Sequence, residues 1–183
     1  MKVDKISSGE VSKKIDIKDL RNSIAISPFS SRKTKDLMPE QIYDIIRTLN
    51  EIDIKPILLG SKEDLIKLSN FDVNKISYYN LVGITDIYSF VYILSNTKGI
   101  ISVDTSALYI ASILGKSSVG IYGPTDPRTG FTPLPPTKSV FLELSCRPCS
   151  IHGSNDCKMK IRRCIEDINT KTITSALREL VDL

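Results

Sequence analysis

Residues Gly99 to Pro127 read GIISVDTSALYIASILGKSSVGIYGPTDP, and this stretch limits the fold more than any other. A short apolar run, Ile100, Ile101, Ser102 and Val103, ends in Asp104. Thr105 or Ser106 then caps a helix in which Ala107, Leu108, Ile110, Ala111, Ile113 and Leu114 recur at helical spacing, and Gly115 closes it. A second apolar run, Ser118 to Tyr122, leads into Gly123-Pro124-Thr125. Strand, helix and strand in so short a length predict two parallel strands joined by a crossover helix. In an open parallel sheet the carboxyl ends of the strands face the ligand, so Asp104 and the Gly-Pro turn fall on that side. Free N–H groups and a partial positive charge at the helix start suit a phosphate.

The same rhythm runs through the chain. Asn22–Ser27 reads as a buried strand, followed by the polar, basic loop Pro28 to Lys35. Pro39 and Glu40 open a helix with Ile42, Ile45, Ile46 and Leu49 on one face. Ile54–Leu59 is a second strand, ending at Gly60, and Ser61 to Asp64 caps a short helix containing Leu65 and Leu68. Ile76–Val82 is a third strand, and Thr85-Asp86 starts a helix that turns Ile87, Phe90, Val91 and Leu94 inward. Beyond Pro127, Arg128–Thr137 reads as loop, Val140–Leu144 as a last short strand, and Thr170–Val181 as a terminal helix with Ile173, Ala176, Leu177 and Leu180 on one face. Residues 1–22 are a polar, Lys-rich lead-in or linker, weakly amphipathic through Val11, Ile15, Ile17 and Leu20; residues 23–183 form one domain. The expected class is α/β, a parallel sheet covered by helices on both faces.

With 183 residues, 41% hydrophobic and 25% charged, the chain has the profile of an ordinary globular domain. No apolar run approaches the roughly 20 residues that span a bilayer. The first residues, MKVDKISSGEVSKK, lack an apolar signal core, so a cytoplasmic location is expected. The net charge of +4 is spread along the chain, which argues against a nucleic-acid partner and leaves an anionic small molecule or membrane surface compatible. All four cysteines, Cys146, Cys149, Cys157 and Cys164, fall in one short stretch. That clustering points to a metal before disulfides, since four thiolates close a tetrahedral site around Zn²⁺ or iron at about 2.3 Å. Four free thiols, or disulfides formed on purification, are the competing reading.

Each candidate residue has a plain structural reading beside the functional one. Asp104 either caps the next helix or meets a ligand at the strand end, and Thr105 either caps or also faces the ligand. Ser30, Ser31 and Lys35 form a solvated surface loop or a phosphate loop. Glu63 and Asp64 either favour a helix N-terminus or reach a ligand. Tyr109 either packs on its helix or faces the site. The Gly-x-Gly-x-x-Gly of dinucleotide-binding folds follows none of the expected strands.

Taken in order, these motifs resemble the C-terminal domain of the heptosyltransferase family, glycosyltransferase family nine, which includes the ADP-heptose:lipopolysaccharide heptosyltransferases. The resemblance is carried by Asp104-Thr105-Ser106-Ala107-Leu108-Tyr109-Ile110-Ala111, Leu114-Gly115 and Tyr122-Gly123-Pro124-Thr125-Asp126-Pro127. Ser30-Ser31 with Lys35 before Pro39, Leu59-Gly60 with Glu63 and Asp64, and Leu81 to Asp86 extend it from about Ser23 to the C-terminus. It implies a Rossmann-like domain, the C-terminal half of a GT-B type inverting, metal-independent glycosyltransferase. By resemblance Lys35 meets the donor diphosphate together with Thr105 and Ser106, Asp104 bonds the donor sugar hydroxyls, and an acid at Glu63 or Asp64 lies near the ribose. The implied donor is a nucleotide sugar of the ADP-heptose kind, and the implied setting is lipopolysaccharide biosynthesis, peripheral at the inner membrane. The cysteines look like those of relatives in which such a motif holds iron. The acceptor site and catalytic base belong to an N-terminal half for which this chain leaves no room, so a piece of a larger enzyme, a partner chain or a stand-alone relic is expected. Two positions depart from the family pattern: Ser106 stands where Gly is usual and Tyr109 where His is usual. Both favour the alternative of a non-catalytic, metal-stapled interaction module that keeps the fold without the donor site.

Overall fold

Among the described residues six short, parallel strands make one sheet: β1 (Ser23–Ser27), β2 (Lys55–Leu58), β3 (Tyr79–Asn80), β4 (Gly99–Val103), β5 (Ser117–Ile121) and β6 (Thr137–Val140), in the spatial order β3-β2-β1-β4-β5-β6. The computed structural model describes residues 9–69, 76–129 and 132–181. Residues 1–8 of the expected lead-in and 130–131 of the loop before the last strand lie outside the described residues. Every residue of β1 and β4 is buried, as the continuous apolar runs require when helices cover both faces. These two strands pair from Ile24↔Gly99 to Ser27↔Ser102, so their carboxyl ends finish level.

Eight helices flank the sheet among the described residues: α1 (Gly9–Lys14), α2 (Ile17–Leu20), α3 (Pro39–Asn50), α4 (Leu65–Leu68), α5 (Ile87–Asn96), α6 (Ser106–Ile113), α7 (Arg163–Glu166) and α8 (Thr170–Arg178). One core layer joins Ile42, Ile45, Ile46 and Leu49 of α3 to Ile165, Ile173 and Leu177 of α7 and α8, over Ile24, Ile26 and Ile101 of the sheet. The other joins Val11 and Leu20 to Tyr92, Ile93 and Leu94 of α5 and Ala107 and Ala111 of α6. The apolar residues of the expected lead-in thus pack against the sheet, with Ile17 exposed. The strand order reverses direction at β1 and β4: β2 and β3 extend one way, β5 and β6 the other. This is the six-stranded doubly-wound order, whose ligand crevice opens at that reversal.

Three local expectations are corrected. The last strand is Thr137–Val140, not Val140–Leu144. Pairing starts where Ser118 N–H donates to the Pro136 carbonyl, and it stops after Val140, where the Arg147 guanidinium takes the Leu142 carbonyl instead. Ile87 and Ile113 face solvent, 56% and 76% exposed, although their spacing suggested an inward position. Each lies at a helix end, Ile87 first in α5 and Ile113 last in α6, and the buried face of α5 is Val91 to Leu94. Both helices are apolar nearly all round, so periodicity alone does not choose the inward face.

Candidate functional site

The site grows from the level ends of β1 and β4. Beyond Ser27 the chain runs through Pro28 to a 3-10 turn at Lys33–Lys35; beyond Val103 it passes Asp104 and Thr105 into α6. Lys35 bridges the two. Its Nζ lies 2.9 Å from Asp104 Oδ2 and 2.8 Å from the Asp104 carbonyl. Both side chains are only 11% exposed, so water does little to screen the pair. The Tyr109 hydroxyl, one turn into α6, donates to Asp104 Oδ1 at 2.7 Å. Asp104 therefore holds a cation on one oxygen and a hydroxyl donor on the other, and its own N–H donates to Ile121 at 3.1 Å, which ties the constellation to β5. Burial, with the Asp104 hydrogen bond next, pushes the Tyr109 hydroxyl far above the ordinary tyrosine range; burial and the Asp104 charge do the same to Tyr122. Both stay protonated at any physiological pH. Thr105 occupies the N-cap position without capping, its hydroxyl 3.3 Å from Ser102 Oγ, and Ser106 is exposed.

A second cluster stands at the ends of β1 and β2, around a residue that the sequence reading passed over. Lys67, on α4, places Nζ 2.6 Å from the Ser30 carbonyl, 3.0 Å from Asp36 Oδ2 and 2.9 Å from Asp64 Oδ1, with the Phe29 ring 5.4 Å away. Burial works against this ammonium, but its hydrogen bonds to Asp64 and Asp36 outweigh burial and raise its pKa. Burial raises the Asp36 carboxyl. Asp64 Oδ2 accepts from the Ser61 N–H and Oγ, both at 2.9 Å, which completes a capping box. Ser30 donates its N–H to Asp36 at 2.7 Å and exchanges hydrogen bonds with Arg32. Glu63 and Ser31 are exposed. The structure thus gathers Lys35, Asp104 and Tyr109 in one set and Ser30 and Asp64 in another. The one signal in the sequence for Lys67 is its spacing of three from Asp64, which places acid and base together on a helix.

The cysteine stretch is laid over the same loop. Arg147 donates to the carbonyls of Gly123, Leu142 and, at 2.7 Å, Thr125, and Cys149 N–H donates to Pro124 at 2.8 Å. Arg162 reaches the carbonyls of Lys33 at 2.6 Å and Asp36 at 2.9 Å. Gln41 Nε2 donates to Ile165 and Ile168, both at 2.9 Å. Gly123 lies directly against α7: a Cβ there would meet Ile165 Cγ1 at 2.6 Å.

All four cysteines are free thiols, Cys146 and Cys149 exposed, Cys164 buried. Burial pushes the Cys164 thiol up to about 11, and the charges of Cys149, Cys157 and Cys146 add to that shift. Four sulfurs in one stretch are a donor set that Zn²⁺ or iron accepts. Among the described residues no three His, Cys, Asp or Glu side chains are already gathered at ligating distance.

The family model for glycosyltransferase family 9 (heptosyltransferase) matches residues 2–160. No curated protein sequence matches. Among solved structures the chain is similar to ADP-heptose LPS heptosyltransferase II of E. coli, with TM-score 0.72 and 20% identity over 96% of this chain and 52% of that one. It is similar to a glycosyl transferase family 9 protein of Veillonella parvula, with TM-score 0.73 and 14% identity over 93% and 48%. It is also similar to TibC of enterotoxigenic E. coli, a dodecameric iron-containing heptosyltransferase solved with ADP-D-beta-D-heptose, with TM-score 0.67 and 14% identity over 86% and 45%. The fold is that of these enzymes, and the chain spans about half of their length.

Proposed function

The chain belongs to glycosyltransferase family 9, and from that premise we propose that it is the donor-binding domain of a heptosyltransferase-like inverting glycosyltransferase. The observation that carries the reading is the buried Lys35–Asp104–Tyr109 set at the strand-order reversal, beside the open start of α6. Lys35 and the first amides of α6 would take the diphosphate of a nucleotide sugar such as ADP-heptose and stabilise it as it departs. Asp104 would orient the sugar through its hydroxyls, exchanging part of its present pairing for them. Ser30, Ser31 and the acid at Glu63 or Asp64 would line the nucleoside side. Transfer is a displacement at the anomeric carbon without a catalytic metal, assisted by a base that removes the acceptor proton. That base and the acceptor site belong to a second half, on a longer chain or a partner, so the 183-residue chain alone binds donor weakly and transfers no sugar.

Among the described residues no helix is long and apolar enough to cross a membrane, and the working location proposed is the cytoplasm, at the inner membrane surface, in lipopolysaccharide assembly. The four cysteines hold one structural Zn²⁺ or iron ion. Support comes from the sulfur donor set in one short stretch and from the iron in TibC. The thiols must close in from their present separation, and a set of four leaves no open position for substrate. Elemental analysis with a thiol count tests this: about one metal per chain is expected, and metal-free protein with four titrating thiols refutes it.

A second reading has its own observation. With Lys35 on one oxygen and Tyr109 on the other, Asp104 is already satisfied, as in an interaction module that has lost its donor. Calorimetric titration with ADP and several nucleotide sugars separates the two. Binding that disappears in Lys35→Met supports the donor site. No heat at millimolar ligand, with an intact fold, supports the module.

A further inference from the structure

We infer that Gly153 and Ser154, in the cysteine loop, are positioning residues for Lys35 and thereby set the strength with which the site holds an anionic donor. The inference rests on the proposed donor site. Three hydrogen bonds cross from this segment to the residue before Lys35. Thr34 N–H donates to the Ser154 carbonyl at 3.1 Å, Thr34 Oγ1 donates to the same carbonyl at 2.6 Å, and Ser154 N–H donates to Thr34 Oγ1 at 3.0 Å. Thr34 is 3% exposed, so these bonds are shielded from competing water.

Beside them Gly153 lies against the lysine stem. A Cβ at Gly153 would stand 2.8 Å from Lys35 Cε and 3.2 Å from Lys35 Cγ. Its φ of +80° is a conformation that a side chain resists for a second reason. The Gly153 N–H is held by Ser150 Oγ at 2.7 Å, so the turn is braced from its other side. Lys35 is therefore fixed at three points: its backbone neighbour Thr34 by Ser154, its aliphatic stem by the Gly153 backbone, and its ammonium by Asp104. A long, flexible side chain held in this way meets an anion without first losing its rotamer freedom. The clasp and the thiols also share one loop, since Gly153 and Ser154 lie between Cys149 and Cys157.

The test measures ADP affinity by calorimetry, and the Lys35 side-chain ammonium resonance by ¹⁵N-resolved NMR, in the wild type and in Gly153→Ala, Thr34→Val, Ser154→Ala and Lys35→Met. Lys35→Met assigns the resonance. Gly153→Ala is expected to weaken ADP on the order of tenfold and to shift or broaden the Lys35 signal. Thr34→Val is expected to do the same to a lesser degree, while Ser154→Ala, which keeps the backbone bonds, stays within about twofold of wild type. If wild type binds no ADP, the donor-site reading fails, and the clasp is then judged on the Lys35 resonance alone. If Gly153→Ala does not fold, Thr34→Val decides. An unchanged Lys35 signal in a folded Gly153→Ala or Thr34→Val protein overturns the inference, as does unchanged ADP affinity where wild type binds.

Discussion

Replacing Lys35 with Met asks whether the Lys35–Asp104 pair supports the fold as well as the site. The side chains are nearly isosteric in length, but the ammonium and both of its hydrogen bonds, at 2.8 and 2.9 Å, are removed. Asp104 keeps only the Tyr109 donor, with its charge 11% exposed at the end of a buried strand. Removing one member of a buried pair costs about 3–5 kcal/mol, and the opening of this pair toward the crevice places it near about 3 kcal/mol. For a domain of this size that corresponds to a drop in Tm of about 6–12 °C. Replacing both residues, Lys35→Met with Asp104→Leu, removes the stranded charge, so the double variant should melt above the single Lys35→Met protein. Urea titrations of the two single variants and the double variant close the cycle, with an expected coupling of about 2 kcal/mol or more. A Lys35→Met protein that melts within about 2 °C of wild type, or a coupling near zero, would show that the pair contributes little and that Lys35 is held by the Thr34 and Gly153 contacts instead.

Three further outcomes are expected. Gly123→Ala forces a Cβ against Ile165, which is fully buried, and should destabilise by about 1–3 kcal/mol in chemical denaturation; unchanged stability would mean that α7 shifts freely. Asp126 is held at about 2, below its ordinary 3.8, chiefly by hydrogen bonds from the Arg128 side chain. The folded state then binds fewer protons at this group, so its stabilisation is present above about pH 4 and fades as the pH falls toward 2. The Tm difference between wild type and Asp126→Asn should follow that course, and a difference constant with pH would contradict it. In protein stripped of metal, exposed Cys146 should react readily with a thiol reagent at pH 8, and Cys164, buried with a pKa of about 11, should react only slowly until the chain unfolds; uniform reactivity would refute its burial.

The parts of the fold that were legible in the sequence are those fixed by neighbours along the chain. The strands at Ser23–Ser27 and Gly99–Val103, the Pro39 helix start and the Ser61–Asp64 cap each carry their own periodicity or capping chemistry. β6 has no local signal, because Thr-Lys-Ser-Val has no apolar run; an edge strand needs only one buried face, and pairing with β5 defines it. The individual site residues were legible, but their grouping was not. Lys35 and Asp104 are 69 residues apart and meet only because β1 and β4 are neighbours. Lys67 has no local signal beyond its spacing from Asp64, because Asp36 and the Ser30 carbonyl come around it only in the folded chain. The Ser154 contact with Thr34 lay beyond any local signal.

That last contact also has a consequence in time. Thr34 and Ser154 are 120 residues apart, and Gln41 waits still longer for Ile165 and Ile168. At about 5–20 residues per second a growing chain takes about 6–24 s to make the later partner after the earlier one has emerged. Through that interval the first strand and its basic loop exist without the segment that closes over them, and the lysine at its tip stays open to solvent. The site is thus completed only once the cysteine segment has been made, rather than as its residues appear. Ribosome-bound chains halted before Gly153 should let an amine reagent reach Lys35 as readily as Lys33, whereas chains extended until Ile168 has left the ribosome should protect it; protection of Lys35 already in the shorter chains would show that the loop closes the site by itself.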